Sequence, residues 1–201
     1  VAILFRFGIS LTVRSPFGAP RMKITRPSSS EHAPFAGTYI DATAKALDAM
    51  GTDHLWSLLV TQPMSLVELL DAVDPARVSF AYAPGKWTLG ESLVHVSDTE
   101  RVFAYRLMRV ARGDMTPLPG FDQDAWVPES RTAGRPLDDI LTEIQTVRAA
   151  TLSLVKSLDE KAWGQVGVAS GHPISPRALA WMIAGHFAHH LDLTRDRYLA
   201  P

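Results

Sequence analysis

His186 and His190 stand four residues apart in a segment of helical pattern, and His95 stands roughly ninety residues earlier. Residues at i and i+4 of a helix project from the same side, one turn apart. Two imidazoles so placed, joined by a third from another helix, would form a three-nitrogen metal site with open coordination positions. Structural zinc sites are usually closed by four protein ligands, so an open site suits catalysis better. Imidazole suits zinc, nickel, copper or iron, and zinc, having no geometric demand, is the default. A metal ion lowers the pKa of bound water toward ~7 or deprotonates a bound thiol. The candidate chemistries are therefore metal-assisted hydrolysis and transfer of a thiol to an electrophile. The competing reading is a set of ordinary core histidines, although two buried rings one turn apart need partners or a shared ion.

A general base is harder to place. Phe187 follows His186 where a His-Glu-x-x-His motif would carry its glutamate, so that signature is absent. Glu91 and Asp98, one turn either side of His95, are the nearest candidate catalytic carboxylates; Asp122 and Asp124 come next. Each has a structural reading as well. Glu91 can close a helix cap, and Asp98 can hold a ligand imidazole from behind. His189 points about 100° away from His186 and about as far from His190 on the helical wheel, as a supporting or surface residue. His32, His54 and His172 fall in loops or at helix ends. Trp87 reads as a hydrophobic staple, Trp126 as core in preference to a pocket wall, and Trp181 as core or interface.

These side chains need a scaffold. The chain has 201 residues, 46% apolar and 20% charged, with a net charge of -1. That supports one domain with a sizeable core and gives no electrostatic case for nucleic-acid binding. Cysteine is absent, which excludes a disulfide scaffold, a thiolate metal site and a cysteine nucleophile. Any catalytic thiol must then arrive on a small molecule. No apolar run reaches the ~18 residues of a membrane span, and a cytoplasmic protein is the expectation. Residues 1–34 read as a loosely ordered N-terminal extension, with Met22 a candidate start and a short added strand or arm as the alternative.

Residues 35–201 read as an all-α domain. A short helix ends at Gly51, and Asp53 caps a longer one to about Val73, kinked or split at Pro63. Thr88-Leu-Gly-Glu91 is a capping box opening a helix to about Arg112, with Gly113 past its end. His95 lies on the flank of that helix's apolar stripe, in line with Thr99 and Val102. Residues 113–136, rich in proline and glycine, form a long crossover loop of the kind that is often functional. Leu137 to Leu158 carry the most regular helical period, and residues 159–174 read as polar turns. Ser175-Pro176 supplies an N-cap and first-turn proline for a last helix to about Tyr198. No strand is expected. Four long helices with one or two long crossovers describe a four-helix bundle.

Three segments carry a family resemblance: GKWTLGESLVHVSDTERVFAYRLMRVARGD, PLPGFDQDAW and ALAWMIAGHFAHHLDLTRDRYL. One histidine early in the second long helix followed by His-x-x-x-His in the last resembles the DinB/YfiT-like family of metal-binding bundles. The resemblance spans roughly Phe35 to Tyr198. It implies an up-down-down-up bundle, metal ligation by His95, His186 and His190, zinc or nickel at the site, and homodimers. It also implies either metal-dependent hydrolysis or transfer from a low-molecular-weight thiol such as bacillithiol or mycothiol, with a small-molecule substrate. No thiol-binding residue can be matched. A non-catalytic metal- or ligand-binding stress-response protein is the alternative, and a metal-free structural or dimerisation bundle a third.

Overall fold

A computed structural model describes residues 23–200, together with the backbone pairing of β1 (Ile3–Leu4) and β2 (Ser10–Leu11). Met22 as a candidate start, and most of the extension before it, lie outside the described residues. The molecule is a bundle of α2 (Leu55–Leu70), α3 (Leu89–Ala111), α5 (Leu137–Lys156) and α7 (Pro176–Leu193). A shorter α1 (Gly37–Ala49) lies along α7. The crossovers carry α4 (Gln123–Glu129) and α6 (Glu160–Trp163).

The local signals explain where the long helices begin. The Thr88 hydroxyl accepts from the Glu91 N–H at 3.2 Å, and the Glu91 carboxylate accepts from the Thr88 N–H at 2.7 Å. Ser175 accepts from the Ala178 N–H at 3.0 Å, with Pro176 in the first turn. Gly113, at φ 76°, takes the left-handed position just past α3. His54, not Asp53, is the N-cap residue of α2; Asp53 pairs with Lys23 instead.

Two apolar clusters fix the helix directions. One gathers Leu55 and Leu59 of α2, Phe103 and Leu107 of α3, Val155 of α5 and Leu179 of α7. The other gathers Leu66 and Leu70, Leu89 and Leu93, Ile140 and Ile144, and Phe187. The early part of α3 therefore meets the early part of α5, and those two helices run parallel. The early part of α2 meets the late part of both, and α7 runs with α2. The order is up-down-down-up, as the family resemblance implied. Parallel neighbours cannot be joined by a tight turn, which is why residues 113–136 must travel the length of the bundle.

One alternative at Pro63 is excluded, and two features depart from the sequence reading. Pro63 lies inside a single continuous helix, α2, which is not split there. Residues 23–34 are not loose: Ile24 is buried in the core, and Trp181 Nε1 donates to its carbonyl at 3.3 Å. Glu31 receives Arg177 through two nitrogens, at 2.7 and 3.0 Å, and also the Ser175 hydroxyl at 2.8 Å. Finally, β3 (Gly167–Ala169) and β4 (His172–Ile174) pair as an antiparallel hairpin in the stretch expected to be turns. Its two central residues, Ser170 and Gly171, both have positive φ (53° and 78°), the requirement of the tightest hairpin turn.

Candidate metal centre

The three imidazoles meet. His95 from α3 and His186 and His190 from α7 bring one ring nitrogen each to within 4.8 Å of one another. His95 Nε2 and His186 Nε2 are 3.1 Å apart. The three residues are buried, at 5%, 4% and 7% exposed for His95, His186 and His190. Burial disfavours the imidazolium form. It is the main reason the His95 pKa falls from 6.5 to about 4; the Asp124 carboxylate pulls it up and His189 pushes it down. Burial, then the neighbouring histidines, drive His186 and His190 well below 6.5. All three therefore stand as neutral rings near pH 7, with lone pairs to offer.

The surroundings orient them. His190 Nδ1 lies 3.0 Å from Ser92 Oγ. A proton on Nδ1 donated to that hydroxyl leaves Nε2 as the lone-pair nitrogen, the usual way a neighbour sets a ligand tautomer. Thr99 Oγ1 sits 3.4 Å from both nitrogens of His95. Trp87 covers His95 at 4.8 Å between ring centroids, and Tyr39 meets His186 edge-on at 5.3 Å. Trp87 is thus a wall of the site. Ser92 carried a sequence signal, one turn before His95, but Tyr39 and Trp87 reach the site through packing that no spacing rule shows.

The donor set fits a metal ion. Two nitrogens each at ~2.0–2.1 Å from zinc lie about 3.3 Å apart in tetrahedral geometry. The 3.1 Å between the two Nε2 atoms is close to that. Without an ion, two such rings could share only one proton between them. Among the described residues no carboxylate and no fourth histidine joins the three.

The candidate carboxylates go elsewhere. Glu91 is held in its capping box by the Thr88 N–H and hydroxyl. Asp98 pairs with Arg101, which also reaches Glu143 of α5 at 2.7 Å. Burial raises the Asp98 pKa, Arg101 opposes the rise, and Glu143 adds to it. Neither is brought into the imidazole cluster. Asp122 caps α4, accepting from the N–H groups of Asp124 and Ala125 at 3.0 and 3.1 Å. Asp124, in the first turn after that cap, is the acidic residue whose charge acts on His95. Trp126 is 44% exposed and lies 5.1 Å from Phe121, outside the core. Trp181 is core, and His189 is exposed.

A cavity of about 390 Å³ opens beside the cluster, with His186 and Thr99 in its wall. Phe35, Tyr39, Phe103 and Phe121 supply aromatic surface, and Arg106 supplies a guanidinium. No helix among the described residues is long and apolar enough to cross a membrane.

Comparison with known proteins agrees with this architecture. A Bacillus subtilis protein, YfiT, described in its structure report as having an unusual four-helix bundle topology, superposes with a TM-score of 0.62. The match covers 84% of this chain and 91% of that one, at 16% identity. A protein of Oceanobacillus iheyensis, provisionally named a metal-dependent hydrolase, is 24% identical over 147 residues, 68% of this chain and 82% of its own length. The sequence profile of the DinB superfamily matches residues 58–193, and with two-thirds of its length so matched the chain belongs to that superfamily.

Proposed function

We propose that this protein is a metal-dependent enzyme in which His95, His186 and His190 hold one divalent cation, zinc or nickel, that activates water against a small electrophilic substrate. The observation that carries this reading is the convergence, beside a cavity, of three buried, neutral imidazoles that no fourth His, Asp or Glu joins among the described residues. A bound ion would supply Lewis acidity, lowering the pKa of water toward ~7. The chain's own residues do the rest. Ser92 fixes the His190 tautomer, Trp87 and Phe103 shield the rings from bulk water, and Asp124, an acid whose charge acts on His95, is the candidate proton acceptor. The naming of the Oceanobacillus relative supports hydrolysis.

One observation favours a second reading, thiol transfer. The cavity wall contains no Asp or Glu. A bound cation would lower a thiol's pKa far enough for its proton to pass to solvent, so no nearby protein base would be needed. With no cysteine in the chain, that thiol would come from a small molecule. The test is a panel of esters, amides and alkylating electrophiles, each run with and without low-molecular-weight thiols. Turnover without thiol that falls ~10²-fold in Asp124→Asn, metal content unchanged, supports hydrolysis with Asp124 as base. Turnover only with thiol, indifferent to Asp124→Asn, assigns transfer instead. Turnover that survives both complete metal removal and His186→Ala contradicts either form.

A further inference from the structure

Arg106 is a buried arginine in the cavity wall. It is 7% exposed and lies on α3, three turns beyond His95 and on the wall of the same cavity. Its Nη2 donates to the Pro119 carbonyl at 2.6 Å and to Ser170 Oγ at 3.3 Å. A guanidinium has five N–H donors on three nitrogens, and these bonds use only one of the nitrogens. No carboxylate pairs with Arg106 among the described residues, and the cavity wall holds no acid at all. Arg148, the other deeply buried arginine, shows the usual solution: Glu100 meets it through two bonds of 2.8 Å. A buried cation without a counter-ion is costly, and burial indeed pulls the Arg106 pKa down. The Phe121 ring, 5.5 Å from the guanidinium carbon, gives only partial compensation.

We propose that Arg106 is the anion-binding residue of the cavity, and that the substrate joins a small apolar or aromatic body to one carboxylate-type group. The apolar body packs among Phe35, Tyr39, Phe103 and Phe121, the carboxylate meets the free face of Arg106, and the reacting end lies at His186. A cavity of about 390 Å³ suits a ligand of that size. Charge balance favours a single negative charge, because Arg106 is the one Lys or Arg in the wall. The inference builds on the metal-enzyme reading by naming its substrate class, yet the anion site can be measured without the metal.

The test is calorimetric titration of the full chain, metal-free and zinc-loaded, with 3-phenylpropionate, 3-phenylpropan-1-ol and phenyl phosphate. The metal-free protein should bind the carboxylate at least tenfold more tightly than the alcohol. Arg106→Gln should abolish that preference while leaving alcohol affinity within about twofold. A purely bracing role for Arg106 would weaken both probes alike. Arg106→Lys keeps the charge and should retain part of the preference, which covers the case of a poorly folded glutamine variant. The proposal is overturned if the parent shows no preference, if Arg106→Gln keeps it, or if phenyl phosphate binds tenfold better than the carboxylate. A preference seen only with zinc and indifferent to Arg106→Gln would place the anion on the ion, and also overturns it. If the chain takes up no zinc but the preference holds, the metal reading fails and the anion site stands.

Discussion

At the residue scale, the site is defined by desolvation. Unfolded His95 would titrate near 6.5, whereas folded His95 titrates near 4. Between those values the unfolded chain binds the proton first, so stability falls as pH drops through that window and is complete above it. His95 alone accounts for on the order of 3 kcal/mol across the window. His186 and His190 shift in the same direction and steepen the loss. Thermal melts of the metal-free protein at pH 7.5, 6 and 5 should show a falling Tm, with a shallower fall in His95→Gln. A Tm indifferent to pH over that range would mean that the rings are not buried. The histidines were legible because i, i+4 spacing is a local fact and the third histidine sits on a helix with a clear cap. The base was not. Glu91 and Asp98 are close to His95 along the chain, but one is occupied by Thr88 and the other by Arg101. Asp124 arrives on a crossover whose path depends on what it packs against, and no periodicity records that.

At the element scale, two contacts hold α7 in register with its neighbours. The first is close approach. A Cβ at Gly185 would lie 1.8 Å from the Tyr39 carbonyl oxygen, so only glycine lets α1 pack so tightly beside His186. Thr43 stitches the same contact, donating to the Trp181 carbonyl at 2.6 Å. Gly185→Ala should cost at least about 3 kcal/mol by denaturant unfolding. It should also weaken metal binding, because α1 must move away or α7 must turn; an unchanged midpoint would contradict this packing. The second is a buried polar network. Pro63 has no N–H, so the carbonyl four residues back, Leu59, loses its helical donor. Arg148 Nη1 donates to that carbonyl at 2.8 Å and to Gln62 at 3.1 Å, and Gln62 donates to the Ala184 carbonyl at 2.7 Å. Together with Glu100, these residues connect all four long helices beside the site. The sequence left a kink or a split open at Pro63 because the partner that makes a continuous helix tolerable lies on another helix. The β3–β4 hairpin escaped for a related reason: its strands are three residues long, too short for an alternating pattern.

At the scale of the whole molecule, the parallel pairing of α3 with α5 and the antiparallel approach of α7 create the site. They bring the early part of α3, with Ser92, His95 and Thr99, against the late part of α7. The long crossover that this topology demands then supplies Asp124 and Phe121 to the same region. The residue pattern made the bundle legible, whereas its helix directions came from family resemblance and are explained here by which apolar layers meet. The docked segment 23–34 adds a separate acid-sensitive tie. Burial would raise the Glu31 pKa, but the Ser28 N–H, Arg177 and Ser175 together lower it from 4.5 to about 2. Its stabilising contribution is therefore present above 4.5 and lost only as pH falls toward 2, below the histidine window. The central claim is that the three imidazoles hold one ion. Its most direct test is the metal content of protein purified without a metal-affinity step, then dialysed against zinc, for the parent and for the His95→Ala, His186→Ala and His190→Ala variants. The account predicts about one ion per chain in the parent and less than a tenth of that in each variant, with helical circular dichroism retained. A metal-free parent at saturating zinc, or full occupancy in any of the variants, would contradict it.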